Sequence, residues 1–82
     1  MEPIDGLREA FGKVFRRYRH ELGISQEKFG DMIGANRSYI YMIEKGTQNP
    51  ALETIFRLAE GIGIPPEQLI AETRARLEQN KE

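Results

Sequence analysis

Apolar residues recur in this chain at spacings of three and four, in short runs, and a glycine stands just past the end of each early run. Leu7, Phe11, Val14, Phe15, Tyr18 and Leu22 form the first run, closed by Gly23. Phe29 and Ile33, with Met32 beside them, form a second closed by Gly34, and Ile40 with Ile43 a third closed by Gly46. A stripe of that period is the buried face of a helix. A glycine after it supplies the left-handed conformation in which helices stop. β-branched residues are few and nothing alternates with period two over a useful length, so strands are not expected. The pattern predicts an all-α, compact five-helix domain.

The remaining boundaries follow from capping chemistry. Ser25 is placed to cap a second helix, 26–33, although Lys28 three positions on excludes a capping box. Asn36 caps a third, 37–45, after a connection of about three residues that forces the two helices to cross steeply. A fourth helix is predicted near 52–61, with Leu52, Ile55, Phe56 and Ala59 facing inward and Leu58 flanking them. Ile62–Pro65 read as a turn, and Pro66 suits the first position of a last helix marked by Leu69, Ile70 and Leu77. Beyond Ala71 the sequence is almost wholly polar, so the packed part is expected over about 7–71, with a polar helical tail at 72–82 that frays.

A chain of 82 residues holds one domain (1–82) and no second one. It has no cysteine and a single histidine, His20. Thiolate zinc sites, redox chemistry and multi-histidine metal centres are thereby excluded, and no metal or cofactor is expected. No Gly-rich phosphate loop or Ser/His/Asp arrangement is present, which argues against an enzyme. No apolar run approaches the roughly 20 residues that span a bilayer, and the N-terminus lacks a basic segment followed by an apolar one, so no membrane association and a cytoplasmic location are expected.

The formal net charge of -1 hides an uneven distribution. Residues 8–45 carry eight Lys/Arg against five acids, whereas the remainder carries four against eight. Such asymmetry describes a cationic face on an otherwise acidic body and suits an anionic partner, though ordinary solvated helix faces would look the same.

The segment from Gln26 to Lys45 has the physics of a helix-turn-helix: Gly30 permits close approach, Gly34 makes the turn, and Ile40 with Ile43 anchor the second helix of the pair. Four motifs accompany it: Arg19-x-x-x-Gly23-Ile24-Ser25-Gln26, Gly34-Ala35-Asn36-Arg37-Ser38-Tyr39-Ile40, Ile43-Glu44-Lys45-Gly46 and Asn49-Pro50-x-Leu52-x-Thr54-Ile55. On these residues the chain resembles, from about Phe11 to Leu69, the Cro/CI-like or xenobiotic-response-element family of helix-turn-helix regulators. The resemblance implies a lambda-repressor-like domain whose third helix enters the major groove, with Arg37 and Ser38 at base edges and Met42 one turn on. The chemistry is apt, since Arg pairs with guanine, Ser bonds several bases, and Met or Tyr touches a thymine methyl. Tyr41 is either such a contact or a solvated aromatic. Gln26, Tyr39, Lys45, Gln48 and Asn49 would hold phosphates. Glu44 would be wrong in a DNA-facing helix, but in the family it pairs with the arginine matching Arg19 as a buried clip. Arg16 and Arg17 read as solvated charges outside the site.

Two local features depart from the family pattern: Gly30 stands in place of alanine, and Ala51 in place of a Ser/Thr cap. The function implied is sequence-specific binding of double-stranded DNA by a homodimeric transcriptional regulator, a repressor, on a two-fold operator. Ile62, Ile64, Leu69, Ile70 and Leu77 are expected to supply the dimer contact. The competing reading is an antitoxin or interaction module whose acidic C-terminal residues, including Glu67, Glu72, Glu78 and Glu82, grip a protein partner.

Overall fold

The computed structural model describes residues 1–79, which form five α-helices: α1 (Leu7–Leu22), α2 (Gln26–Ile33), α3 (Arg37–Lys45), α4 (Leu52–Ile62) and α5 (Pro66–Gln79). Among the described residues there is no strand. Helix ends fall where local chemistry placed them. Gly23, Gly34, Gly46 and Gly63 follow α1 to α4 directly, all at positive φ. The Ser25 hydroxyl accepts the Lys28 N–H at 3.0 Å and the Asn36 side chain accepts that of Tyr39 at 2.8 Å. Ala51 precedes α4 and, as its side chain dictates, offers no such bond.

The helices surround one core of Phe11, Val14, Phe15, Phe29, Ile40, Ile43, Leu58, Ala59, Ile62 and Leu69. Phe15 and Phe29 meet edge to face with centroids 5.0 Å apart, the geometry that aromatic quadrupoles favour. No helix of the described residues is long and apolar enough to cross a membrane.

The apolar pattern misplaced the inner face of α4. Leu52 and Phe56 are 66% and 54% exposed, while Leu58, Ala59 and Ile62 are buried and Ile55 is half-buried. The cause lies on α2: a Cβ at Gly61 would come within 2.6 Å of the Phe29 ring, so α4 is docked by its glycine edge and turned toward Leu58 and Ile62. Its second apolar stripe is left outside. Similarly, Met32 and Leu22 are about half exposed and Ile33 is only half-buried. Ile62 and Leu69 belong to the core, which removes them from any dimer contact, and of the five residues expected there only Ile70 is exposed.

Helix α5 continues beyond Ala71 to Gln79, with Thr73 buried and donating to the Leu69 carbonyl at 2.8 Å. A polar clamp holds this helix to α1. The Tyr18 hydroxyl and the Arg17 guanidinium both donate to the Glu72 carboxylate, and Gln68 donates to the Tyr18 oxygen at 3.0 Å and to Glu72 at 3.2 Å. Of the acids expected to grip a protein partner, Glu72 is thus committed internally, Glu78 pairs with Arg74 at 3.0 Å, and Glu82 lies outside the described residues.

The clamp makes stability pH-dependent at both ends. The Tyr18 hydrogen bond, helped by Arg17 and Gln68, holds the Glu72 carboxyl below the usual carboxylate range against the opposing effect of burial. The same bond, followed by burial, raises the Tyr18 phenol above its ordinary value. The Glu72 contribution is therefore complete above the unfolded carboxylate pKa of about 4.3 and disappears as pH falls through the lower folded value. The Tyr18 contribution is complete below about pH 10 and is lost as pH rises through the higher folded value. Thermal unfolding followed from pH 3 to 7 should show a steeper acid loss of Tm for the parent than for Glu72→Gln; parallel profiles would contradict the clamp.

Candidate nucleic-acid interface

Helix α3 begins immediately after the Asn36 cap and buries Ile40 and Ile43 completely. At 3.6 residues per turn, positions 37, 38, 41, 42 and 45 then fall within about 140° on the opposite side. Arg37, Ser38, Tyr41 and Lys45 are exposed there and Met42 is half-buried. All four residues assigned to base reading therefore share one outward face. The Lys45 ammonium lies 5.6 Å from the centroid of the Tyr41 ring, within cation–π range.

The residues assigned to phosphates are more scattered. Lys45 shares the α3 face. Gln48 folds back so that its amide approaches the Met42 sulfur at 3.8 Å, and the neighbouring Thr47 hydroxyl donates to the Met42 carbonyl at 3.2 Å. Gln26 and Tyr39 are half-buried, with Tyr39 packed on the core. The Gln26 amide donates to Glu44 at 3.1 Å. Asn49 is exposed but stands apart from α3, lining a cleft with Leu7, Arg8 and Pro50.

Glu44, the only acid on α3, points away from the outer face. Its carboxylate is gripped by two nitrogens of Arg19, Nε to Oε2 at 2.5 Å and Nη2 to Oε1 at 2.8 Å, and both side chains are almost fully buried. Arg19 also donates to the Ile24 carbonyl at 2.7 Å, tying the α1–α2 connection into the same network. The carboxylate raises the Arg19 guanidinium pKa still further, against desolvation, so the guanidinium stays charged.

Two features of this region escaped the sequence reading. Gly12 sits where α1 touches α3 so closely that a Cβ would lie 2.4 Å from the Ile43 carbonyl oxygen and 2.6 Å from that of Glu44. A glycine inside a regular apolar helical run was the available signal, because it sacrifices helix propensity that only a close approach repays. Arg17, read as a solvated charge, is instead bound to Glu72 and lies 4.8 Å from the Tyr18 ring centroid. Arg16 is exposed, with its Nε 4.0 Å from Glu44.

A family profile described as helix-turn-helix matches residues 15–69. The chain is 32% identical over 69 residues to the transcriptional repressor RstR of the cryptic phage CTXphi from Vibrio cholerae, which covers 84% of this chain and 62% of that protein. It shares 35% identity with the restriction-modification controller protein C.AhdI from Aeromonas hydrophila, whose crystal structure aligns with a TM-score of 0.73 over 76% of this chain and 94% of that one. The controller protein C.Esp1396I, solved as a tetramer with its natural 35 base-pair operator, shows the same fold at 24% identity and a TM-score of 0.72, covering 85% and 97% of the two chains.

Removing one member of the Arg19–Glu44 pair leaves the other charge buried and unmatched. Glu44→Ala should cost about 3 to 5 kcal/mol, and replacing both residues should cost less than the two single changes added together. For a domain of this size the single variant should lose roughly 10 °C or more of Tm. A Glu44→Ala protein that melts with the parent would show that the clip does not support the fold.

Proposed function

Because the chain belongs to the helix-turn-helix family of DNA-binding transcriptional regulators, we propose that it binds a two-fold operator as a homodimer, α3 lying in the major groove, and represses transcription. The observation that carries this reading is the separation of charge on α3. Its one carboxylate is withdrawn into a satisfied buried pair, and its outer face keeps Arg37, Ser38, Tyr41, Met42 and Lys45. A helix arranged that way meets DNA without a repulsive group. Arg37, at the first turn, is suited to a guanine edge, Ser38 to a neighbouring base, and Met42 and Tyr41 to thymine methyl groups. Lys45, Gln26, Tyr39, Gln48 and Asn49 are assigned to the backbone, with the N-terminal N–H groups of α2 assisting.

The dimer contact is assigned to the α4 face that the core leaves uncovered, Leu52 and Phe56, together with Ile70 on α5. Glu53, Arg57 and Glu60 accompany the first two on that face, so both signs of charge are available to a self-complementary contact. The two recognition helices would then lie about 34 Å apart, one turn of B-DNA. The likeness to RstR, a transcriptional repressor, supports the repressor reading. Sedimentation should show a dimer that Phe56→Glu converts to monomer with much weaker operator binding; a parent protein monomeric at high micromolar concentration, free and on DNA, would end the dimer assignment.

Base reading and backbone holding separate cleanly by mutation. Arg37→Ala should cost about 1 to 3 kcal/mol on the preferred operator and relax preference at one base pair per half-site, with little effect on random DNA. Lys45→Ala should weaken specific and random duplexes alike and lower the salt slope by about one per subunit, because one fewer counterion is released. Selection from random duplexes, followed by binding titrations at several salt concentrations, measures both. If Arg37→Ala weakened every sequence equally and Lys45→Ala changed base preference, α3 would be rotated from this pose.

A further inference from the structure

A second group of basic side chains lies away from α3. Lys13, Arg16, Arg17 and His20 on the outer side of α1, together with Arg76 across from them on α5, line an open cleft of about 710 Å³ whose one acid is Glu21. Arg17 is neutralised by Glu72, and Arg16 is near Glu44. Lys13 and Arg76 make no ion pair among the described residues. The Nε of Arg76 is buried and is the one such side-chain polar atom without a hydrogen-bond partner there. Having no solvent contact, that nitrogen meets no ligand itself, and Arg76 enters the cleft as an unpaired cation beside Lys13.

The position of the cleft identifies the anion. Arg16 lies 4.0 Å from the same Glu44 carboxylate oxygen that accepts the Gln26 amide, so the cleft adjoins the start of α2 as well as α5. Glu53 and Glu60 lie on the exposed side of α4, and Glu67 and Glu78 on that of α5, outside this cleft. An enclosed apolar pocket would suit a metabolite. An open trough bordered by cations on two helices, and adjoining a helix end assigned to phosphate, suits an extended polyanion.

We propose that the α1–α5 cleft is a second backbone site, at which Lys13 and Arg76, with Arg16 leading into it, hold phosphates of the DNA that flanks the base-read half-site. This rests on the operator-binding reading above and extends it: the footprint becomes longer than the bases α3 reads, and the added part is blind to sequence. DNA leaving the half-site past Gln26 bends toward α1 rather than running straight into solvent.

The test compares a minimal operator duplex with the same duplex lengthened by about ten base pairs on one side, for the parent and for Lys13→Gln/Arg76→Gln. The parent should bind the longer duplex more tightly, and that advantage should shrink about tenfold between 50 and 200 mM salt, as two released counterions require. The double variant should bind the minimal duplex like the parent and show no length advantage. Lys13→Glu, an exposed change that leaves packing alone, should remove the advantage too if Arg76→Gln impairs folding. A parent with no length effect, or a variant weakened equally on both duplexes, overturns the proposal. So does loss of polyglutamate binding in the variant with the DNA length effect intact, which would assign the cleft to an acidic protein. Loss of base preference on the minimal duplex with the length effect preserved would overturn the operator reading and leave the flanking contact standing.

Discussion

Glu44 and Arg19 form the interaction on which the rest of the interface depends. A buried ion pair adds little net stability compared with well-packed apolar groups, because both charges must be taken out of water. Its value lies in geometry. Two parallel hydrogen bonds between planar groups fix distance and angle together, and the same guanidinium bonds the Ile24 carbonyl while the same carboxylate accepts Gln26. One residue of α1 thereby orients α2 and α3 at once. Gly12 supplies the complementary steric condition, since only a missing side chain lets the α1 backbone reach the carbonyls of Ile43 and Glu44.

The same economy governs the remaining acids. Glu72 is turned into the α1–α5 contact, where Tyr18 and Arg17 complete it, and this keeps α5 attached beyond the point at which its composition becomes polar. Neutralising acids inside the fold leaves the outer sides of α1 and α3 positive in a chain whose formal charge is -1. Long-range attraction to a polyanion depends on how charge is arranged on the surface rather than on its total.

Legibility differed from helix to helix for physical reasons. In α2 and α3 the caps Ser25 and Asn36, the closing glycines and the few apolar positions all agree, so one rotation of each helix satisfies every local rule, and the outer face of α3 follows. Helix α4 carries apolar residues across an arc of about 160°, wider than the roughly 100° stripe that a core-facing helix needs. Periodicity then allows two rotations, and the contact of Gly61 with Phe29 selected the one that exposes Leu52 and Phe56. In α5 the apolar signal is weak, and its polar residues gave no hint that Glu72 and Thr73 would be held against the body of the domain.

The pairing of Glu44 with Arg19 was implied by the family resemblance, while helix number, helix limits and the turn between α2 and α3 were determined by the sequence itself, through capping chemistry and glycine positions. These are short-range properties, set within a few residues along the chain or by one strongly patterned segment. The tertiary structure alone decided which apolar side chains stay outside, that Arg17 serves α5 rather than solvent, and that Lys13, Arg16 and Arg76 come together in one cleft. Each of those outcomes joins residues tens of positions apart, and it depends on how far the core lets each helix rotate before its own side chains collide.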